Sequence, residues 1–144
     1  MKTFTLDEAQ TLLPVMESLL NRAIEAKQSA EQLQEEAGAT ARRILVSGGL
    51  HVDIGAAQKR RATLEAQVQR ATDALEEIND SGVQVKDLDA GLLDFPCVLE
   101  GETVLLCWKR GEPRIAWWHR IEDGFAGRQP IDARFGRNAP EQLQ

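Results

Sequence analysis

Leu12, Met16, Leu19, Ala23, Ala26, Ala30, Leu33 and Ala37 follow one another at alternating steps of four and three, the spacing that lines apolar side chains along one seam of an α-helix. The pattern predicts a helix opening at the capping box Thr5-Leu-Asp-Glu8, where the Thr5 hydroxyl accepts a backbone amide and Glu8 reaches back to the amide of Thr5. Pro14 deletes one backbone bond inside this helix and is expected to bend it or to set its first turns apart. Gly38 offers an early stop, but Ala41, Ile44 and Leu45 carry the pattern to the Ser47-Gly48-Gly49 break, and the end is placed there. With Asp53 as N-cap, Ile54, Ala57, Leu64, Val68, Ala71, Leu75 and Ile78 repeat the spacing with Arg61 as the one departure, until Asn79-Asp-Ser-Gly82 stops it. Two such seams joined by a short glycine loop predict a long antiparallel helix hairpin. His51, in that loop, is read as solvent-exposed and given no role.

Beyond Gly82 the period changes. Phe95-Pro-Cys-Val-Leu99, Thr103-Val-Leu-Leu-Cys-Trp108 and Arg114-Ile-Ala-Trp-Trp-His119, separated by Glu100-Gly101-Glu102 and Arg110-Gly-Glu-Pro113, predict a small three-stranded antiparallel meander. Val83-Gln-Val85 is a possible fourth strand. A three-residue first loop, Gly101 to Thr103, would set Cys97 directly opposite Cys107. In a strand Trp117 and Trp118 face opposite sides, so one belongs to the core and the other is covered by a partner or exposed. The expected fold is therefore α+β in a single domain over residues 1–144, with a helical hairpin at 1–82 and a small sheet with a C-terminal tail at 83–144.

Composition narrows the function classes. The 144 residues are 42% hydrophobic and carry a net charge of −6, with −4 falling on residues 1–82 and −2 on 83–144, so neither half is a basic module and nucleic acid is an unfavoured partner. The first residues have no apolar h-region, and the strongest apolar run, Val104 to Trp108, is far shorter than the roughly 20 residues of a membrane span. A soluble cytoplasmic protein is expected. Two cysteines are too few for a disulfide framework and read as reduced, buried thiols.

Chemistry-bearing residues cluster in two places. Lys86-Asp-Leu-Asp-Ala-Gly-Leu-Leu-Asp-Phe-Pro96 holds Asp87, Asp89 and Asp94, which either cap a turn or hold a hard cation or a shared proton. It is not an EF-hand, because the sixth position from Asp87 is Leu92 and the twelfth Val98. His119, followed by Glu122 and Asp123, either hydrogen-bonds into the sheet margin or joins Cys97, Cys107 and a carboxylate in a four-ligand zinc site; the lack of a C-x-x-C pair weakens the second reading. A Cys107–His119 dyad is disfavoured, since a thiol between Leu106 and Trp108 should be protonated and inert. The remaining nucleophile and phosphate-loop motifs are absent. Trp108, Trp117 and Trp118 with Arg110, Arg114 and Arg120 either fill a core or dimer interface or form an aromatic-basic recognition surface. Arg128 is an anion clamp or, more simply, an exposed or Asp-paired cation.

At these residues the chain resembles a small bacterial family known only as domain of unknown function 2203. The resemblance rests on Phe4-Thr-Leu-Asp-Glu-Ala9 with Leu12-Leu-Pro14, then on Val85-Lys-Asp87, Gly91-Leu-Leu-Asp-Phe-Pro96, Leu106-Cys-Trp108, Gly111-Glu-Pro113, Trp118-His119 and Gly124-Phe-Ala-Gly-Arg128, in that order, and covers Phe4 to Pro130. It implies that these motifs recur as one package, a shared nucleus or a shared site. It supplies no activity, substrate or cofactor.

Two functional expectations follow. The first is a non-enzymatic interaction or regulatory module that pairs into a homodimer, because Leu13, Leu20 and Ile24 flank the helical seam and pairing would bury them, with a protein partner on the aromatic sheet. The second is a small ligand- or metal-binding enzyme whose site joins Asp87, Asp89, Asp94, Glu112 and His119, with Trp108, Trp118 and Arg128 as further ligand contacts and Asp87, Asp94 and His119 as the metal candidates.

Overall fold

The computed structural model describes residues 1–48 and 53–136; His51 and Gly49 lie outside them. Among the described residues the chain forms α1 (Leu6–Val46), α2 (Ile54–Asp80) and five strands, β1 (Gln84–Asp87), β2 (Leu92–Leu99), β3 (Glu102–Lys109), β4 (Trp117–Arg120) and β5 (Gln129–Pro130), with a short 3-10 turn at Phe125–Gly127 before β5. No helix among these residues is long and apolar enough to cross a membrane.

Both helix starts follow the sequence. The Glu8 amide donates to Thr5 Oγ1 at 3.1 Å and the Thr5 amide to Glu8 Oε1 at 2.8 Å, a reciprocal cap. Asp53 Oδ1 accepts the amide of Ala56 at 3.0 Å. α1 runs on through Gly38 to Val46, and Pro14 lies inside it without ending it.

The chain divides into two compact units. One of them, Asn21–Ala74, is helical; there Leu33 and Ile44 of α1 and Ala57 and Leu64 of α2 line one groove. In α2 the small Ala74, outside the seam, is 1% exposed, whereas the seam residue Val68 is 49% exposed.

The other unit joins residues 1–20 to the chain from Leu75 onward. Its core gathers Leu13, Met16 and Leu20 with Ile78, Val83, Phe95, Leu106, Trp108 and Trp118. Phe4 meets Phe95 edge to face at 5.9 Å, and the Ile115 amide donates to Gln10 Oε1 at 3.1 Å. Leu13, Leu20 and Ile24 are 4%, 0% and 5% exposed, so the chain buries by itself the flanks from which pairing was expected.

The sheet is larger than a three-stranded meander: β1 to β5 lie side by side in chain order, each antiparallel to the next. β4 starts at Trp117, not Arg114. The first long hairpin turns through two residues, not three. Leu99 pairs with Glu102, and Glu100 and Gly101 both have positive φ, 52° and 79°, the twist that two-residue hairpins require. The earlier, shorter loop shifts the register by three residues, and an odd shift exchanges faces. Cys97 now lies opposite Val104, and Cys107 opposite Asp94.

Between β1 and β2, Gly91 adopts φ 72°, and a Cβ there would meet the Arg110 Cβ at 2.6 Å. Gly91→Ala is therefore expected to cost about 2 kcal/mol, from left-handed strain and the displaced strand β3 end, read as a lower urea midpoint; an unchanged midpoint would refute the tight turn.

Candidate metal centre

Alternation splits each strand between two faces. Leu93, Phe95 and Cys97 of β2, Leu106 and Trp108 of β3, and Trp118 of β4 form the core-facing side. The second face presents Leu92, Asp94 and Pro96 of β2, Leu105 and Cys107 of β3, and Trp117 and His119 of β4. Asp94, Cys107 and His119 thereby meet from three adjacent strands. Asp94 pairs directly with Cys107, while His119 pairs with Leu105 and lies diagonal to Cys107.

All three are buried, and one ligand atom from each lies within 4.8 Å of the other two. His119 Nε2 is 3.2 and 3.1 Å from the two carboxylate oxygens of Asp94. Its Nδ1 is 2.8 Å from the carbonyl oxygen of Arg120, a group that only accepts, so Nδ1 carries a proton and Nε2 is the nitrogen turned to the cluster. Burial pushes the Asp94 carboxyl above the usual carboxylate range; the charge of His119, its hydrogen bond, a hydrogen bond from the Cys107 thiol and the charge of Lys86 pull it back without cancelling the rise. The Cys107 thiol is pushed up to about 12, first by burial and then by Asp94, with Arg128 opposing. A thiol so held is not a nucleophile at neutral pH, which disposes of the Cys107–His119 dyad as a catalytic pair.

The cluster lines a cavity of about 320 Å³, with Leu92 and Leu105 in its wall, Lys86 and Asp123 at its margin and Phe125 on one side. Phe125 and Arg128 come from the Gly124–Arg128 turn. The Arg128 guanidinium stands 4.5 Å from the Phe125 ring centre and 5.2 Å from that of Trp117, bonds Glu112 at 2.6 Å and donates to the Cys107 carbonyl at 3.3 Å.

The structure places the sequence-predicted residues unevenly. It unites Asp94 and His119, and adds Cys107. Asp87 caps the turn after β1, accepting the Ala90 amide at 3.0 Å, and Asp87 and Asp89 are exposed; neither belongs to the cluster. Asp94 is not a turn residue but an internal residue of β2, 1% exposed. Glu112 is taken by Arg128 and by the Lys109 amide at 2.7 Å. Arg128 is neither exposed nor Asp-paired: its side chain is 11% exposed and its acid is Glu112. Trp108 and Trp118 are 0% and 1% exposed, so they are core and not ligand contacts, while Trp117 is half-buried under Arg128. Cys97 is on the core-facing side, which breaks the four-ligand zinc set. Two signals in the sequence pointed to this cluster: an acid between Leu93 and Phe95 must face away from the core that they enter, and a two-residue Glu100-Gly101 loop places that acid opposite Cys107.

A family model described as "Uncharacterized conserved protein (DUF2203)" matches residues 2–131. No curated protein and no solved structure matches the chain.

Proposed function

Because the chain belongs to the DUF2203 family of uncharacterized conserved proteins, whose description carries no activity, we propose from the geometry that it is a metal-binding protein that holds a borderline transition-metal ion, Zn²⁺ or one of its class, through Asp94, Cys107 and His119. One observation carries the reading: a carboxylate, a thiol and an imidazole nitrogen converge in a buried cluster at the wall of a cavity, with the other imidazole nitrogen anchored on the Arg120 carbonyl. Such an outer hydrogen bond is the usual orienting device of a metal-bound histidine. The mixed sulfur, nitrogen and oxygen set suits Zn²⁺ or Co²⁺ and disfavours Mg²⁺ and Ca²⁺, which take oxygen ligands. Three protein ligands leave a fourth position for water or a small ligand, the arrangement of catalytic rather than structural zinc. The bound ion would supply Lewis acidity there; the cavity walls would set the size of what reaches it.

The metal-free protein is expected to take up one Co²⁺ or Zn²⁺ per chain in equilibrium dialysis, the Co²⁺ form showing thiolate charge-transfer absorption, and Mg²⁺ is expected to have no effect. Cys107→Ser should abolish the charge-transfer band. Absence of uptake, or uptake indifferent to Cys107→Ser and Asp94→Asn, would end this reading.

A second reading, that the helical unit pairs with another copy or a protein partner, rests on Leu45, Val46, Ile54 and Val68, which are 79%, 89%, 66% and 49% exposed. Light scattering at micromolar concentration that returns the mass of one chain would remove the homodimer.

A further inference from the structure

Arg128 is an unusual residue to find under the sheet face. Its side chain is 11% exposed, its guanidinium lies between the Trp117 and Phe125 rings, and its Nε is buried without a hydrogen-bond partner. A guanidinium is a fork of five donors, and the surroundings employ one arm: Nη2 bonds Glu112 Oε1 and the Cys107 carbonyl oxygen. Glu112 is itself fixed by the Lys109 amide, and its carbonyl oxygen by the Trp108 indole at 3.0 Å. The cation is thus clamped from below by β3 and from both sides by rings, directly beside Cys107. Trp117, the residue it covers, is the β4 partner of Cys107 in the sheet register.

We propose that Arg128 is the positioning residue of this metal site, donating a charge-assisted hydrogen bond to the Cys107 sulfur once that sulfur ligates a metal. The inference rests on the metal reading of the cluster. Its physical basis is charge and geometry: a ligand thiolate is an anionic acceptor in a buried site, and a fixed neighbouring cation with an unused donor favours it. The charge of Arg128 and a side-chain hydrogen bond already act on the Cys107 thiol in the metal-free form. The Glu112 clamp holds the guanidinium in place, and it offsets the charge of Arg128 when metal is absent. The Phe125 ring ties the same cation to the wall of the cavity, so the turn that carries Arg128 and the metal site are built as one unit.

The test is the electronic spectrum of the Co²⁺-loaded full chain, compared with Arg128→Gln and Arg128→Lys. A hydrogen bond to the sulfur lowers its donor energy, so removing it is expected to move the thiolate charge-transfer band to lower energy and to weaken Co²⁺ binding about 10- to 100-fold. Arg128→Lys retains a cation between the rings and guards against a variant that fails to fold. Glu112→Gln, which loosens the clamp and leaves Arg128 present, should move the band in the same direction by less. A guanidinium that merely braces the fold would lower the thermal midpoint and leave the band where it is. A parent band that persists unmoved in Arg128→Gln overturns the role of Arg128 and leaves the metal reading standing. A parent without any charge-transfer band overturns both.

Discussion

Metal-free His119→Ala is expected to lose about 3–5 kcal/mol of unfolding free energy, because it strands the Asp94 carboxyl in a buried site with its partner gone. Both side chains of the pair are nearly inaccessible, 5% and 2% exposed, so in the fold the imidazole stands where water would otherwise solvate the carboxyl. Replacing both residues by leucine should cost far less than the two single changes together, since apolar groups of similar volume leave nothing unpaired. Urea unfolding of the parent, Asp94→Leu, His119→Leu and the double variant in the presence of a chelator measures the coupling directly. A single variant that loses under about 1 kcal/mol would show that the pair is not sealed as described. The penalty also has a pH signature. Burial raises the Asp94 carboxyl in the folded chain above its ordinary 3.8, which favours its neutral form in the fold. That contribution is complete below about pH 3.8 and is withdrawn as pH rises through the raised value. Without His119, whose charge and hydrogen bond hold that rise in check, the carboxyl is raised further, so the deficit of His119→Ala is expected to widen as pH rises above the parent's raised value.

The second large effect is thiol protection. Burial lifts Cys97 from 9.0 to about 11, with Glu8 adding to the rise, and lifts Cys107 to about 12, with Asp94 adding. At neutral pH the thiolate population falls about 100-fold and about 1,000-fold below that of an ordinary thiol. Both side chains are buried as well, so Ellman's reagent should react with the metal-free native protein at least 100-fold more slowly than with the urea-unfolded chain. The linkage runs the same way: the unfolded chain releases these protons above about pH 9 and the folded one does not until 11–12, so stability is full below pH 9 and declines above it. A fast native reaction at Cys107, located by mass spectrometry of Cys97→Ala, would contradict the buried cluster.

What the sequence by itself determined was local. Thr5 and Glu8 cap α1, and Asp53 caps α2, because a cap is settled by residues three apart in the chain. Trp117 and Trp118 face opposite sides because strand geometry has a period of two, whatever packs above. The heptad spacing placed the helices, but it could not rank Val68 against Ala74, since which side of a helix is covered depends on what packs against it. The homodimer argument shows the same limit: Leu13, Leu20 and Ile24 looked like spare apolar surface, and the chain's own tertiary packing buries them.

The candidate site was decided by register. Asp94 and His119 were both visible as chemistry-bearing residues, yet the sequence grouped Asp94 with Asp87 and Asp89, its neighbours along the chain. A two-residue loop at Glu100-Gly101 instead of a three-residue one exchanges the faces of one strand relative to its partner. It sends Cys97 to the core-facing side and brings Asp94 opposite Cys107. One residue of loop length thus separates a mismatched pair of cysteines from a converging carboxylate, thiol and imidazole. Strand pairing between residues 13 and 14 positions apart, Asp94 with Cys107 and Leu105 with His119, fixes it, and only tertiary structure does that, because the free energy that selects the register is the burial of an entire sheet face and no local residue preference carries it.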